Sequence, residues 1–108
     1  MTTAHVDSSA DNGSIHIYVS GEIDLANAAA VEDEIRTAIT HHPSAVSVDL
    51  AGLTYMDSAG IRVLYALASR LHALRIVLEL IVPLDAPTRR LIELSGFESI
   101  AAIRPVRS

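Results

Sequence analysis

Residues 46–67 read VSVDLAGLTYMDSAGIRVLYAL, and this stretch decides the fold. Val46, Val48 and Leu50 alternate with polar residues, so residues 45–50 are predicted to form a short strand with these three on one face. AGLTYMD is then expected to turn the chain. From Ser58 onward, SAGIRVLYALASRLHAL repeats its apolar residues every three or four positions, which predicts a helix burying Ile61, Leu64, Ala68 and Leu71. A strand that feeds a helix after one turn is half of a β-α-β unit, so the chain is expected to be α/β.

Working upstream, DNG at 11–13 is a strong turn signal. In SIHIYVSG, Ile15, Ile17 and Val19 alternate with His16, Tyr18 and Ser20, so the turn joins a hairpin whose first strand, over the small polar residues 3–9, is weakly defined. GEID at 21–24 opens a helix predicted over about 25–40, with Leu25, Ala28, Val31, Ile35, Ala38 and Ile39 on its apolar stripe. Asp24 is placed to cap it, Glu32 and Arg36 stand one turn apart in the favourable order, and Pro43 lies beyond its end.

Downstream, RIVLELIV at 75–82 reads as a strand, and a third helix is expected from about Asp85 to Ser95. Gly96 suits the position just past its end, with Phe97 supplying the apolar contact of such a stop. SIAAI reads as a final short strand or helical turn. The order β-β-α-β-α-β-α, with parallel pairs bridged by crossover helices, implies a mixed sheet of four to five strands in a single domain over 1–108.

Length and composition agree with one α/β core: 108 residues, 50% hydrophobic, one Phe and no Trp. The net charge of -5 leaves no broad basic footprint for nucleic acid and favours a partner that presents basic groups. With no cysteine, disulfides and thiolate chemistry within the chain are excluded. No apolar run reaches about 18 residues, and MTTAHVDSSADNG lacks the basic-then-apolar layout of a signal peptide, so a cytoplasmic protein with no membrane contact is expected. A monomer is favoured, since nothing in the pattern demands a dimer.

Ser58 is the residue with most to explain. As a nucleophile it would need a base and a group to orient that base, yet no G-x-S-x-G elbow surrounds it and the five His residues read as structural or surface groups. No Walker loop, dinucleotide turn or metal-ligand spacing occurs, so neither a catalytic role nor a cofactor is expected. Two readings stay open: Ser58 starts a helix and does no more, or its hydroxyl accepts a phosphate, which the positive end of the helix would tolerate.

VSVDLAGLTYMDSAGIRVLYAL resembles the STAS domain of bacterial anti-sigma factor antagonists, with a strand ending in Asp, a turn, D-S-x-G and an apolar helix. VSGEIDLANA is similar to that family's segment entering the first helix, and RRLIELSGF to its segment near the C-terminus; together they span about residues 14–100. The resemblance implies a STAS fold and an anti-anti-sigma factor that binds an anti-sigma factor carrying a serine-kinase domain, so freeing a sigma factor for transcription. It implies that the kinase phosphorylates Ser58 to end binding and that a phosphatase resets the cycle. Asp24, Asp57, Ala59, Gly60 and Arg62 would form the docking surface around Ser58, Gly60 letting a partner's backbone come close. STAS modules also occur as ligand sensors or scaffolds, which is the alternative.

Overall fold

The computed structural model describes residues 2–106. Along the chain run β1 (Ala4–Asp11), β2 (Ser14–Ile23), α1 (Ala28–Ala38), β3 (Ala45–Met56), α2 (Ser58–Ala73), β4 (Val77–Ile81), α3 (Arg89–Leu94), a 3-10 turn (Phe97–Ser99) and β5 (Ala102–Arg104). The five strands form one sheet in the order β1-β2-β3-β4-β5. β1 and β2 are an antiparallel hairpin closing on Asp11 and Ser14, with Asn12 at φ 48° and Gly13 at φ 81°, the paired positive angles that match strand twist. The other three pairings are parallel.

Because each crossover steps to the next strand in one direction, the rule of handedness puts the helices on one face of the sheet. Burial agrees: Ile15, Ile17, Val19, Val46, Val48, Leu50, Leu78 and Leu80 belong to the core with Val31, Ile35, Val63, Leu64, Leu67 and Leu71 of the helices. His16, Tyr18, Asp49 and Glu79 alternate with them and keep contact with solvent. Glu79 pairs there with Arg104 at 2.7 Å.

Three elements depart from expectation. α1 starts at Ala28, because the Asp24 carbonyl accepts the N–H groups of Asn27 (3.2 Å) and Ala28 (2.9 Å) and so makes a turn of residues 24–27. Leu25, expected in the core, is 77% exposed on that turn. β3 continues through the expected turn to Met56, held by its register with β2 as far as Ile23↔Met56, with shifts near Ser20 and Gly21. α3 begins only at Arg89: Pro87 disfavours helical geometry at Ala86, and residues 83–89 make two successive turns instead.

Gly96 adopts φ 79° after α3, as expected, and sends Phe97 into the core with no exposed surface. Its ring meets Tyr65 edge-on at 5.2 Å, and the Tyr65 hydroxyl donates to the Ser95 carbonyl at 2.7 Å. Tyr65 therefore ties α2 to the C-terminal segment.

Candidate functional site

β2 and β3 run parallel and finish together. With Ile23 beside Met56, the Asp57 N–H donates to the Ile23 carbonyl at 3.3 Å. Asp24 and Asp57, each the first residue past its strand, therefore emerge side by side at one end of the sheet.

At the second junction Asp57 stays extended (φ −106°, ψ −166°) and its Oδ1 accepts the Ala59 N–H at 2.8 Å. Its carbonyl accepts the N–H groups of Gly60 (3.1 Å) and Ile61 (3.3 Å). Asp57 thus performs the capping, a contribution of about 1 kcal/mol. Ser58 is the first helical residue, exposed, and its hydroxyl has no hydrogen-bond partner among the described residues. The cap of α2 is therefore Asp57, and Ser58 is the helix's first residue.

Ala59 and Gly60 are buried beneath it. A Cβ on Gly60 would meet Met56 Cγ at 2.2 Å and Sδ at 2.6 Å, so the missing side chain accommodates Met56 inside the protein, not a partner's backbone outside it. Arg62, one turn beyond Ser58, is exposed and makes no ion pair among the described residues. It lines, with Leu25, Ala29, Glu32 and Ala66, a groove of about 350 Å³ between α1 and α2.

At the first junction Asp24 shapes the turn instead of capping α1. Its Oδ1 accepts the Ala26 N–H at 2.8 Å, and the Thr2 hydroxyl donates to Oδ2. The Thr2 hydroxyl, helped by the backbone N–H groups of Ala26 and Asn27, holds the Asp24 carboxyl below the usual carboxylate range. Asn27 locks the turn from within, accepting the Asp24 N–H at 3.0 Å and donating to the Glu22 carbonyl at 2.8 Å. The end of the sheet therefore presents two carboxylates, the Ser58 hydroxyl, Arg62, and two exposed apolar side chains, Leu25 and Tyr55.

The Ser–His contact of the described residues lies elsewhere: His16 Nδ1 and Ser47 Oγ are 2.7 Å apart on the solvent side of the sheet. Sequence reading missed it, because the partners are distant in sequence and only the β2–β3 register makes them neighbours. Leu25 was missed for the opposite reason: its spacing to Ala28 imitates helical periodicity. No described helix is long and apolar enough to cross a membrane.

Comparison with known proteins identifies the family. A family profile described as "Mlab, STAS domain" matches residues 6–105. The anti-sigma-F factor antagonist RsfB of Mycobacterium tuberculosis is 32% identical over 87 residues, covering 81% of this chain and 70% of RsfB. The crystal structure of an anti-sigma factor antagonist from Mycobacterium paratuberculosis superposes with a TM-score of 0.85 at 27% identity, covering 96% of this chain and 87% of that one. SpoIIAA in its unphosphorylated form shares the fold, with a TM-score of 0.70 at 20% identity over 95% of this chain and 90% of its own. With the profile spanning nearly the whole domain and RsfB matching four-fifths of the chain, the chain belongs to the STAS domain family of anti-sigma factor antagonists.

Proposed function

We propose that this protein binds an anti-sigma factor carrying a serine-kinase domain through the end of the sheet formed by Asp24, Asp57, Ser58 and Arg62, and so releases a sigma factor in the cytoplasm. Ala59 and Gly60 support that end from within. The kinase transfers the γ-phosphoryl group of ATP to the Ser58 hydroxyl oxygen; the hydroxyl proton leaves to a base of the kinase, and ADP departs. A phosphatase hydrolyses the ester and restores binding. On this reading the chain is a regulatory module acted on by enzymes.

The observation that carries the reading is the free, exposed Ser58 hydroxyl beside a neighbour that already does the capping. A phosphate there brings close to two negative charges next to the carboxylates of Asp24 and Asp57. The first turn of α2 tolerates the added charge, since it lies at the positive end of a helix of 16 residues. A partner that packs against Leu25 and Tyr55 while facing the two carboxylates meets repulsion and a desolvation cost instead.

Affinity capture from the native lysate, with captured proteins identified by mass spectrometry, tests the reading. Wild type and Ser58→Ala are expected to retain a protein with a serine-kinase domain, and Ser58→Glu to release it, with affinity reduced at least about 30-fold or roughly 2 kcal/mol. Equal retention by all three baits would contradict it.

A further inference from the structure

β1 borders the sheet, and no strand among the described residues covers its outer edge. The hairpin closes on Asp11 and Ser14, and the Glu22 N–H donates to the Thr3 carbonyl at 2.9 Å. Hydrogen-bonded pairs in an antiparallel ladder recur at every second residue. The odd-numbered residues of β1 therefore bond β2, while Ala4, Val6, Ser8 and Ala10 turn their N–H and C=O groups outward. The strand is eight residues long and contains neither proline nor a register shift, so two common devices that block an edge are missing.

Beside this edge lies a groove of about 360 Å³, lined by Val6 and Ser8 of β1 and by Asp33, Glu34, Thr37 and Ala38 of α1. Asp33 and Glu34 are exposed and make no ion pair among the described residues. On the other face of the strand, Asp7 and Asp11 are exposed as well. An incoming strand thus finds backbone partners along the edge and carboxylates above and below it.

We infer that the outer edge of β1 takes an extended, Lys- and Arg-rich segment of a partner protein as an added strand. Backbone bonds to Val6, Ser8 and Ala10 would give affinity, and Asp33 and Glu34 would select the alternate basic side chains that share their face. A second copy of this chain is the poorer occupant. Two β1 edges paired about a twofold axis would bring the Asp33 and Glu34 side chains of both α1 helices together across the seam. The inference goes beyond the Ser58 switch and stands without it.

The test titrates the full chain with two short synthetic peptides, one alternating valine with lysine and arginine and one alternating valine with glutamate, followed by fluorescence anisotropy and amide hydrogen exchange. The basic peptide is expected to bind at least about tenfold more tightly than the acidic one and to slow exchange at Val6, Ser8 and Ala10. Asp33→Lys with Glu34→Lys, both on the exposed face of α1, should weaken it by a similar factor without changing the melting curve. Ser8→Pro should abolish it by removing an outward donor while sparing the ladder to β2. Ser58→Glu should leave it unchanged, which separates this surface from the switch. Equal binding of the two peptides, no binding, or protection elsewhere would overturn the inference, as would a dimer in sedimentation that Ser8→Pro converts to monomer.

Discussion

The two strand-to-helix junctions start from the same chemistry and end differently. Each places an aspartate directly after a buried residue at the end of a parallel strand, Ile23-Asp24 on β2 and Met56-Asp57 on β3, and the register sets these pairs side by side. Asp57 caps α2 at once, and the helix begins with Ser58. Asp24 turns its carboxylate to Ala26 and Thr2, so α1 waits until Ala28 and leaves Leu25 in solvent. One junction presents a free hydroxyl on a rigid helix start; the other presents an apolar side chain and a held carboxylate on a turn. The same aspartate takes a different role according to the residues after it: a buried Ala-Gly pair beyond Ser58, and an Asn that locks the turn at position 27.

The contrast is sharpest at the third helical residue. Gly60→Ala forces a Cβ onto Met56, which is itself buried, and is expected to cost about 1–3 kcal/mol in urea unfolding. Adding Met56→Ala should recover part of that loss, since the two side chains compete for one space. At the matching position of α1, Ala30 is exposed, and Ala30→Leu should change stability by less than about 0.5 kcal/mol.

A smaller effect separates the caps. Asp57→Ala should cost about 1 kcal/mol through the lost bond to Ala59, whereas Asn27→Ala should leave α1 itself capped as before, because Asn27 makes no side-chain cap bond. Its loss is expected to appear instead as faster amide exchange in residues 24–27. If both variants frayed their helices equally, the two junctions would not differ in the way described.

The smallest effect concerns pH. The carboxyl of Asp24 is lowered in the folded state, so its contribution to stability is present above the unfolded value and is lost as pH falls through the folded one. Thr2→Val removes the leading cause. NMR titration should show the Asp24 carboxyl moving up toward its ordinary range. The stability difference between variant and wild type should be present above about pH 4 and vanish in stronger acid.

Much of this was legible in the sequence. The alternation of Ile15, Ile17 and Val19, the repeat along α2 and the stop at Gly96 each report a local preference that the fold keeps. Asp57 and Ser58 were legible as a helix start, but which of them capped it was not, because both residue types suit the position. The length of β3 was hidden: Gly52 and the polar Thr54 and Tyr55 resemble a turn, and only pairing with an irregular β2 draws Leu53 and Met56 inward. The delayed starts of α1 and α3 were hidden for a similar reason, since a turn bonded through Asp24 or a proline at 87 shifts a boundary without breaking the apolar spacing.

In the proposed mechanism the Ser58 hydroxyl, left free by Asp57, is the switch. Its most direct test is to incubate wild type and Ser58→Ala with the captured kinase and ATP, map phosphate by peptide mass spectrometry, and measure rebinding. One phosphate, on Ser58, in wild type alone, together with loss of binding, is the expected result. Phosphate on another residue, or binding that survives phosphorylation of Ser58, would contradict it.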